Sequence, residues 1–454
     1  MAGTVFSVLL RKAPRVASRS KSAGQRARNG AVRSAAALLS ERNFRRFYAG
    51  YAVSVTGSAM AAVAVAFAVL SNGGNSAALG FVFAAGVIPQ ILLMIGGGVL
   101  ADRIGRRPVM LGADLLRFAA QAALAAALLA GHVPVWTFVV LQAAEGTGEA
   151  FFTPALTALT PQMAPPGQAS DANALIGLAS YTARIGGPAL AGILVATVGP
   201  GPVIAIDAAS FGASVLSLAL LRMPPARPAT ASPLRDLADG WAAFRTRPWL
   251  MLTTLQYTLF NLFTWAPYLL LGPILARDYL GGARAWGIIV TALAIGSVGA
   301  SLALVGRRPR RPLVVSVLGA FGYPLPCLLL ALHAPLAPVA AAALAAGAGS
   351  AVAGTFWTTT LQLDVPPELQ ARATAFSLTG SFALGGSAYA VIGPVAAVLG
   401  ARPLLAFAAV YGLASPALLL ALPAIRRGPR APAGPGGMTK GEGPGPSPSP
   451  EALS

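Results

Sequence analysis

Gln142, Glu145 and Glu149 stand three and four positions apart in an otherwise apolar stretch of the chain. On an α-helix turning about 100° per residue they fall within about 60° of one another, so the stretch presents one polar stripe. Two carboxylates one turn apart in a low-dielectric setting do not both ionise readily, and a group that gains and loses a proton is what proton coupling requires. Asp114 and Arg117, also one turn apart, can neutralise each other as a structural ion pair, with a part in a proton relay as the alternative. Arg184 has no partner adjacent in sequence and is expected to meet a glutamate of the polar stripe, while Asp207 is placed as a cap near a helix start. A buried charge costs at least about 2.5–3.5 kcal/mol in a bilayer, so each of these residues is a functional candidate. Metal chemistry is not supported: Cys327 is the single cysteine and His132 and His333 the only histidines.

The elements that must hold these groups are membrane helices. Of 454 residues 56% are hydrophobic and 10% charged, and the mean hydropathy is +0.68. Soluble domains carry about 25% charged residues, so lipid is the solvent for most of this chain. Runs of about 20 apolar residues suffice to span a bilayer, and twelve are read, over 47–70, 77–100, 109–130, 134–158, 171–198, 200–222, 249–275, 283–305, 313–333, 335–361, 370–399 and 402–424. Six-helix bundles are expected at 47–222 and 249–424, joined by a linker at 223–248 and flanked by a basic arm (1–46) and a Pro/Gly/Ser-rich tail (425–454) expected to be disordered.

Net charge is +19, yet the arginines and lysines lie in short segments between apolar runs, so nucleic acid is not expected as a partner. Of the 33, 28 fall in the arm, the tail and the even-to-odd connectors. By the positive-inside rule these are cytoplasmic, as are both termini. No cleavable signal peptide is read in the arm; either its arginines suit an anionic leaflet or it precedes the natural start.

Between the second and third spans stand Gly98, Asp102, Arg103, Gly105, Arg106 and Arg107, within GVLADRIGRRP. Glycines allow a tight turn and close helix approach, and one acid among three arginines can exchange ion pairs as helices rock. The segment resembles the conserved loop of the major facilitator superfamily at every fixed position. The arginine-rich Gly306–Pro312 stretch at the equivalent place in the second half suits a repeat of one six-helix unit. Phe151-Phe152-Thr153-Pro154, Ala172-Asn173-Ala174-Leu175 and the Arg184, Gly187, Pro188 and Gly192 element resemble twelve-helix drug:proton antiporters, bacterial macrolide and siderophore exporters in particular. Asp364-Val-Pro366-Pro367 through Arg372 resembles that branch's entry to span eleven, where Gly385-Gly386 replaces a common proline.

The resemblance implies an all-α membrane protein of the major facilitator fold, with twelve transmembrane helices in two six-helix pseudo-repeats. It implies that the Gly187–Gly192 element favours export, small-residue packing being the alternative. It also places Gln142 where an arginine usually serves proton transfer, so Glu145 is assigned the proton and Glu149 a latch to the arginines between spans two and three. Spans four, seven and ten face the central cavity in the superfamily, which makes Gln142, Gln256, Tyr257, Asn261, Trp265, Trp357, Thr358 and Gln362 candidate substrate contacts. Uncharged amides and aromatics suit a large amphipathic ligand; for Trp265 a place among lipid-facing belt residues is equally open.

The expectation is therefore a secondary transporter, acting as a monomer in the bacterial plasma membrane, that exports a hydrophobic small molecule such as an antibiotic or siderophore in exchange for protons. No nucleotide-binding loop, cofactor motif or catalytic residue set is present in the sequence. An uptake permease for a small metabolite and a non-transporting sensor or scaffold are the alternatives.

Overall fold

The computed structural model describes residues 37–165, 168–221, 246–304, 307, 309–366, 370, 388–426 and 428–429, and among them every regular element is helical. The first set comprises α1 (Arg42–Ser71), α2 (Ser76–Ile104), α3 (Arg106–Ala130), α4 (Val135–Met163), α5 (Ala169–Val198) and α6 (Pro200–Ala219). The second comprises α7 (Pro248–Leu280), α8 (Ala283–Ala303), α9 (Pro312–Ala331), α10 (Leu336–Asp364), α11 (Ala388–Leu399) and α12 (Ala401–Ala421).

Among the described residues, ten helices are long and apolar enough to cross a membrane. The 29-residue α4 is not one of them, because Gln142, Glu145, Thr147 and Glu149 dilute its apolar middle. α11 is shorter, and most of the span expected at 370–399, with Arg372 and Gly385-Gly386, lies outside the described residues. So do most of the linker, Gly306 and Arg308, most of the basic arm and the tail beyond 429. α1 begins at Arg42, and Arg46 donates to the Leu220 carbonyl at 3.4 Å.

Lipid gives helices no hydrophobic reason to associate, so close packing of small residues must do it. Gly50 and Gly57 of α1 lie two turns apart and receive Ser217 and Ser210 of α6; a methyl on Gly50 would stand 2.5 Å from Ser217 Cβ. α2 lies on α4, and α3 lies on α4 and α6. Gly105, at φ 97°, lets α2 turn directly into α3, a conformation that a Cβ disfavours.

The two sets meet at several places, and among the described residues two of these are close crossings of small residues. α5 meets α8, where a methyl on Gly287 would come 2.5 Å from the Pro188 carbonyl and 3.1 Å from Gly192 Cα. α2 meets α11, where one on Gly393 would come 2.9 Å from Gly80 Cα. Thr291 of α8 also donates to the Ile185 carbonyl at 3.2 Å. The apolar core follows the same division. One cluster joins Val65, Leu79 and Leu124 to Leu270, Ile274 and Trp286 across the two sets. At the other end each set keeps its own cluster, Phe44, Met110 and Leu159 in the first, Trp249, Leu313 and Leu361 in the second. Among the described residues, the halves are therefore sealed at one end and separate at the end that carries Arg46, Arg106, Arg107 and Arg247.

Candidate functional site

Arg117 stands in the middle of α3 with 5% of its surface exposed. Its Nη2 lies 3.0 Å from Glu145 Oε1 and 3.0 Å from Glu149 Oε2, both on α4, and its Nη1 lies 3.6 Å from Asp114 Oδ1. The last contact is an ion pair beyond hydrogen-bond reach, and Asp114 is held instead by Ser214 of α6, whose hydroxyl donates to Oδ2 at 2.6 Å. The guanidinium also lies over the Phe211 ring at 4.1 Å and near that of Phe152 at 5.7 Å. Gly148 makes the arrangement possible, because a methyl there would overlap Arg117 Cγ.

A fourth acid joins the group. Asp207 of α6 is 1% exposed and accepts from Ser58 and Ser210 at 3.4 Å each, while Arg117 Nη2 donates to the same Ser58 hydroxyl at 3.5 Å. It is not a helix cap, as its position in sequence suggested, since it sits inside α6 and faces the cluster. Asp207, Ser210 and Ser214 recur at helical spacing and are all buried, a polar stripe that the sequence already displays.

Two other expectations about this cluster are corrected. Glu149 does not latch onto the arginines that follow α2; it pairs with Arg117 and accepts a short hydrogen bond from Thr153 one turn on. Arg184 is exposed on α5 and makes no ion pair among the described residues, because the α4 glutamates turn toward α3 instead. Near it, Tyr51 and Ser180 hydroxyls are 2.8 Å apart.

At the separated end, Asp102 and Arg106 form an ion pair of 3.7 Å, and Arg106 donates to the Ala158 carbonyl of α4 at 3.1 Å. Arg107 donates to the Leu218 and Ala219 carbonyls at 2.8 and 2.7 Å, capping the end of α6 where carbonyls lack helical partners. Arg103 is exposed. The close approach expected of Gly98 belongs to its neighbour: a methyl on Gly97 would lie 2.5 Å from the Ala150 carbonyl, whereas one on Gly98 would meet only Pro154 Cβ at 3.9 Å. Of the α5 element, Gly187 packs on Ala59 of α1, and Pro188 and Gly192 form the crossing with α8.

Two cavities flank the centre. One, of about 380 Å³, lies in the second set and is lined by Gln256, Tyr257, Phe260, Tyr323, Trp357 and Thr358 together with the hydroxyls of Thr253, Thr254, Ser316 and Ser350. Among the described residues, no ionisable acid or base beyond tyrosine lines it. Three expected contacts fall elsewhere. Asn261 folds back to donate to the Tyr257 carbonyl at 2.8 Å, Trp265 packs inside against Tyr268 and Tyr323, and Gln362 is exposed near the end of α10. A π-turn over Asn261–Trp265 rotates this part of α7 away from a regular helical phase. The other cavity, of about 220 Å³, lies beside the Arg117 cluster and includes Glu145, Asp207, Gln121 and Gln142 in its wall.

Two helical sets sealed at one end, with buried charge in one and an uncharged cavity in the other, define a polytopic membrane transporter of the major facilitator fold. The chain belongs to the transmembrane secretion effector family, whose profile matches residues 33–431. Among solved structures, the nucleoside transporter NupG superposes with a TM-score of 0.67 over 84% of this chain and 98% of its own, at 12% identity. A bacterial homologue of the human lysosomal transporter Spinster, in an inward-facing and unoccupied conformation, gives 0.62 over 88% and 99%, at 14% identity. At such identities the likeness is one of fold. Macrolide efflux protein A of Streptococcus pyogenes is 30% identical over 243 residues, 53% of this chain and 60% of that protein. Multidrug efflux pump Tap of Mycolicibacterium fortuitum is 30% identical over 173 residues, 37% and 42% respectively. The chain thus spans about 60% of the length of the macrolide efflux relative.

Proposed function

We propose that this chain exports a hydrophobic small molecule across the bacterial plasma membrane in exchange for protons, alternating between states open to one side and the other. The observation that carries the reading is the Arg117 cluster. Four buried or part-buried carboxylates face one guanidinium, so full ionisation would leave three uncompensated negative charges in a low-dielectric interior. Protons are the simplest compensation, and Glu145 and Glu149, which bond Arg117 directly and are part-exposed, are the groups assigned to exchange them. The uncharged aromatic and hydroxyl cavity of the second set suits the body of the exported molecule.

Direction is supported by the macrolide and multidrug efflux proteins among the relatives. The Arg-rich end is assigned to the cytoplasm by the positive-inside rule, which makes the described state open inward. In it, Asp102, Arg106 and Arg107 tie α2 and α3 to the ends of α4 and α6, so the first set moves as one body.

The test is retention of labelled hydrophobic antibiotics in an exporter-deficient bacterium expressing the chain, before and after a protonophore. Retention falls on expression and recovers with the protonophore. Unchanged retention of every compound in cells shown to hold inserted protein, together with concentrative uptake of a polar solute, would overturn the reading.

A further inference from the structure

Arg184 stands in the middle of α5, exposed and without an ion pair among the described residues. Positions seven apart lie about two turns apart on one strip of a helix, so the strip that carries Arg184 leads directly to the seal between the halves. Counted toward the Arg-rich end, Ser180 lies two turns from Gly187, which packs on Ala59 of α1, and Tyr181 two turns from Pro188, whose carbonyl meets Gly287 of α8. Arg184 lies two turns from Ala191, which is buried at 0% exposure between those two contacts. The same strip of α5 is therefore closed where the halves are sealed and bare where they have separated. Arg184 faces the opening between them, where water can hold a charge that lipid would not.

The acids of the fold are engaged elsewhere. Glu145 and Glu149 bond Arg117, Asp114 is held by Ser214 and Asp207 by Ser58 and Ser210, and Asp102 pairs with Arg106. Asp171 lies at the start of α5, about three and a half turns from Arg184. In the second set Asp278 and Asp364 pair with Arg277 and Arg247 at helix ends, and the sequence from 249 to 424 holds one further acid, Glu368, in the connector after Asp364. Around Arg184 stand hydroxyls and a ring instead. Ser180, one turn away on the same face, and Tyr51 of α1 hold their hydroxyls 2.8 Å apart, and Tyr181 is 61% exposed. Tyr51 lies within electrostatic reach of both Arg184 and Glu149, so this guanidinium sits beside the Arg117 cluster but on another helix. A planar fork of N–H donors, with hydroxyls next to it and an aromatic face alongside, is suited to a carboxylate carried on an apolar body.

We propose that Arg184 binds the carboxylate of an amphipathic substrate in the opening between the halves, with the Tyr51 and Ser180 hydroxyls as supporting donors and Tyr181 against the apolar body. The proposal rests on reading the chain as an exporter and narrows its substrates to hydrophobic acids. Proton and substrate then use different cations, since the glutamates hold Arg117 on α3 and leave Arg184 on α5 to the carboxylate. The site is also tied to the conformational state. Closing the Arg-rich end brings α8 over the strip that carries Arg184, and no acid of α8 waits there. An unpaired guanidinium resists that loss of water, whereas one neutralised by a bound carboxylate does not, so the substrate lowers the cost of the closure that carries it across.

The test is equilibrium binding of pyrenebutyrate, an apolar ring system bearing one carboxylate, to the full-length protein in lipid nanodiscs, compared with its neutral amide pyrenebutyramide and with empty discs subtracted. Wild type is expected to bind the acid at least about tenfold more tightly than the amide. Arg184→Gln should lose at least about tenfold in affinity for the acid and none for the amide, and Arg184→Lys, which keeps the charge without the fork, should recover part of the loss. Tyr51→Phe, which leaves every charge in place, should lose severalfold for the acid alone and serves if the Arg184 variants do not fold. Equal affinity for acid and amide, binding of neither, or acid affinity unchanged in the variants that fold overturns the site; antibiotic retention that still falls on expression then leaves the export reading standing. Binding as expected, but no gradient-driven extrusion of pyrenebutyrate from vesicles, upholds the site and overturns the export reading instead.

Discussion

Replacing Gly148 by alanine adds one methyl group and no charge, yet it should disable the Arg117 cluster. The new Cβ would overlap Arg117 Cγ and lie 2.9 Å from both Arg117 Cδ and the Ala113 carbonyl. The obstructed atoms are the stem of the side chain and helix backbone, so the clash cannot be relieved at a flexible tip. Overpacking of this kind costs about 1–3 kcal/mol, and losing one charge-assisted hydrogen bond to Glu145 adds about 1.5–3 kcal/mol. A combined loss of about 2.5–6 kcal/mol corresponds to a fall in unfolding temperature of roughly 5–24 °C for a bundle of this size. Gly112→Ala, on the helix that carries Arg117 but with nothing within 4 Å of the added methyl, is the control. Thermal unfolding of the detergent-purified proteins reads the stability, and protonophore-sensitive export reads the function. If Gly148→Ala unfolds and exports like Gly112→Ala, Arg117 does not depend on that space and the reasoning fails.

Arg107→Ala removes both bonds to the α6 carbonyls and should cost about 1–2 kcal/mol at this partly exposed position, read as a lower unfolding temperature. Gly287→Val cannot fit beside Pro188 and Gly192, so it should part α5 from α8; in a Cys327→Ala background, a cysteine at buried Ala283 should then label with a membrane-impermeant maleimide from the sealed side, and protection equal to that of the parent would refute the crossing. Trp357→Ala enlarges the second-set cavity and removes the indole that donates to Thr253, and should weaken binding of a hydrophobic substrate by about tenfold in an equilibrium assay.

The helices were legible because each needs only a run of apolar residues, and the pairings within one helix turn were legible too. Asp114 with Arg117, and Glu145 with Glu149, follow from spacing alone. Contacts between helices were not. Nothing local tells that Asp207, 90 positions after Arg117, returns to the same depth, although the Asp207, Ser210 and Ser214 stripe marks the face that does so. Gly97 and Gly98 are indistinguishable in sequence, and only the path of α4 decides which one meets it. Trp265 and Gln362 were misplaced because cavity exposure depends on helix rotation and depth, and the π-turn in α7 alters the first. Phe83 of α2 and Tyr389 of α11 form a ring pair from the two halves together, which has no signature in either one.

The central claim is that substrate leaves as protons enter through the Arg117 cluster. The most direct measurement is proton movement in sealed vesicles holding purified protein, with a pH gradient imposed and a hydrophobic antibiotic then added. The account predicts that the antibiotic accelerates dissipation of the gradient in wild type and in the control Gly112→Ala, and that the acceleration is lost in Glu145→Gln/Glu149→Gln while the protein still binds the antibiotic. Substrate-dependent proton flux that survives in the double variant would contradict it.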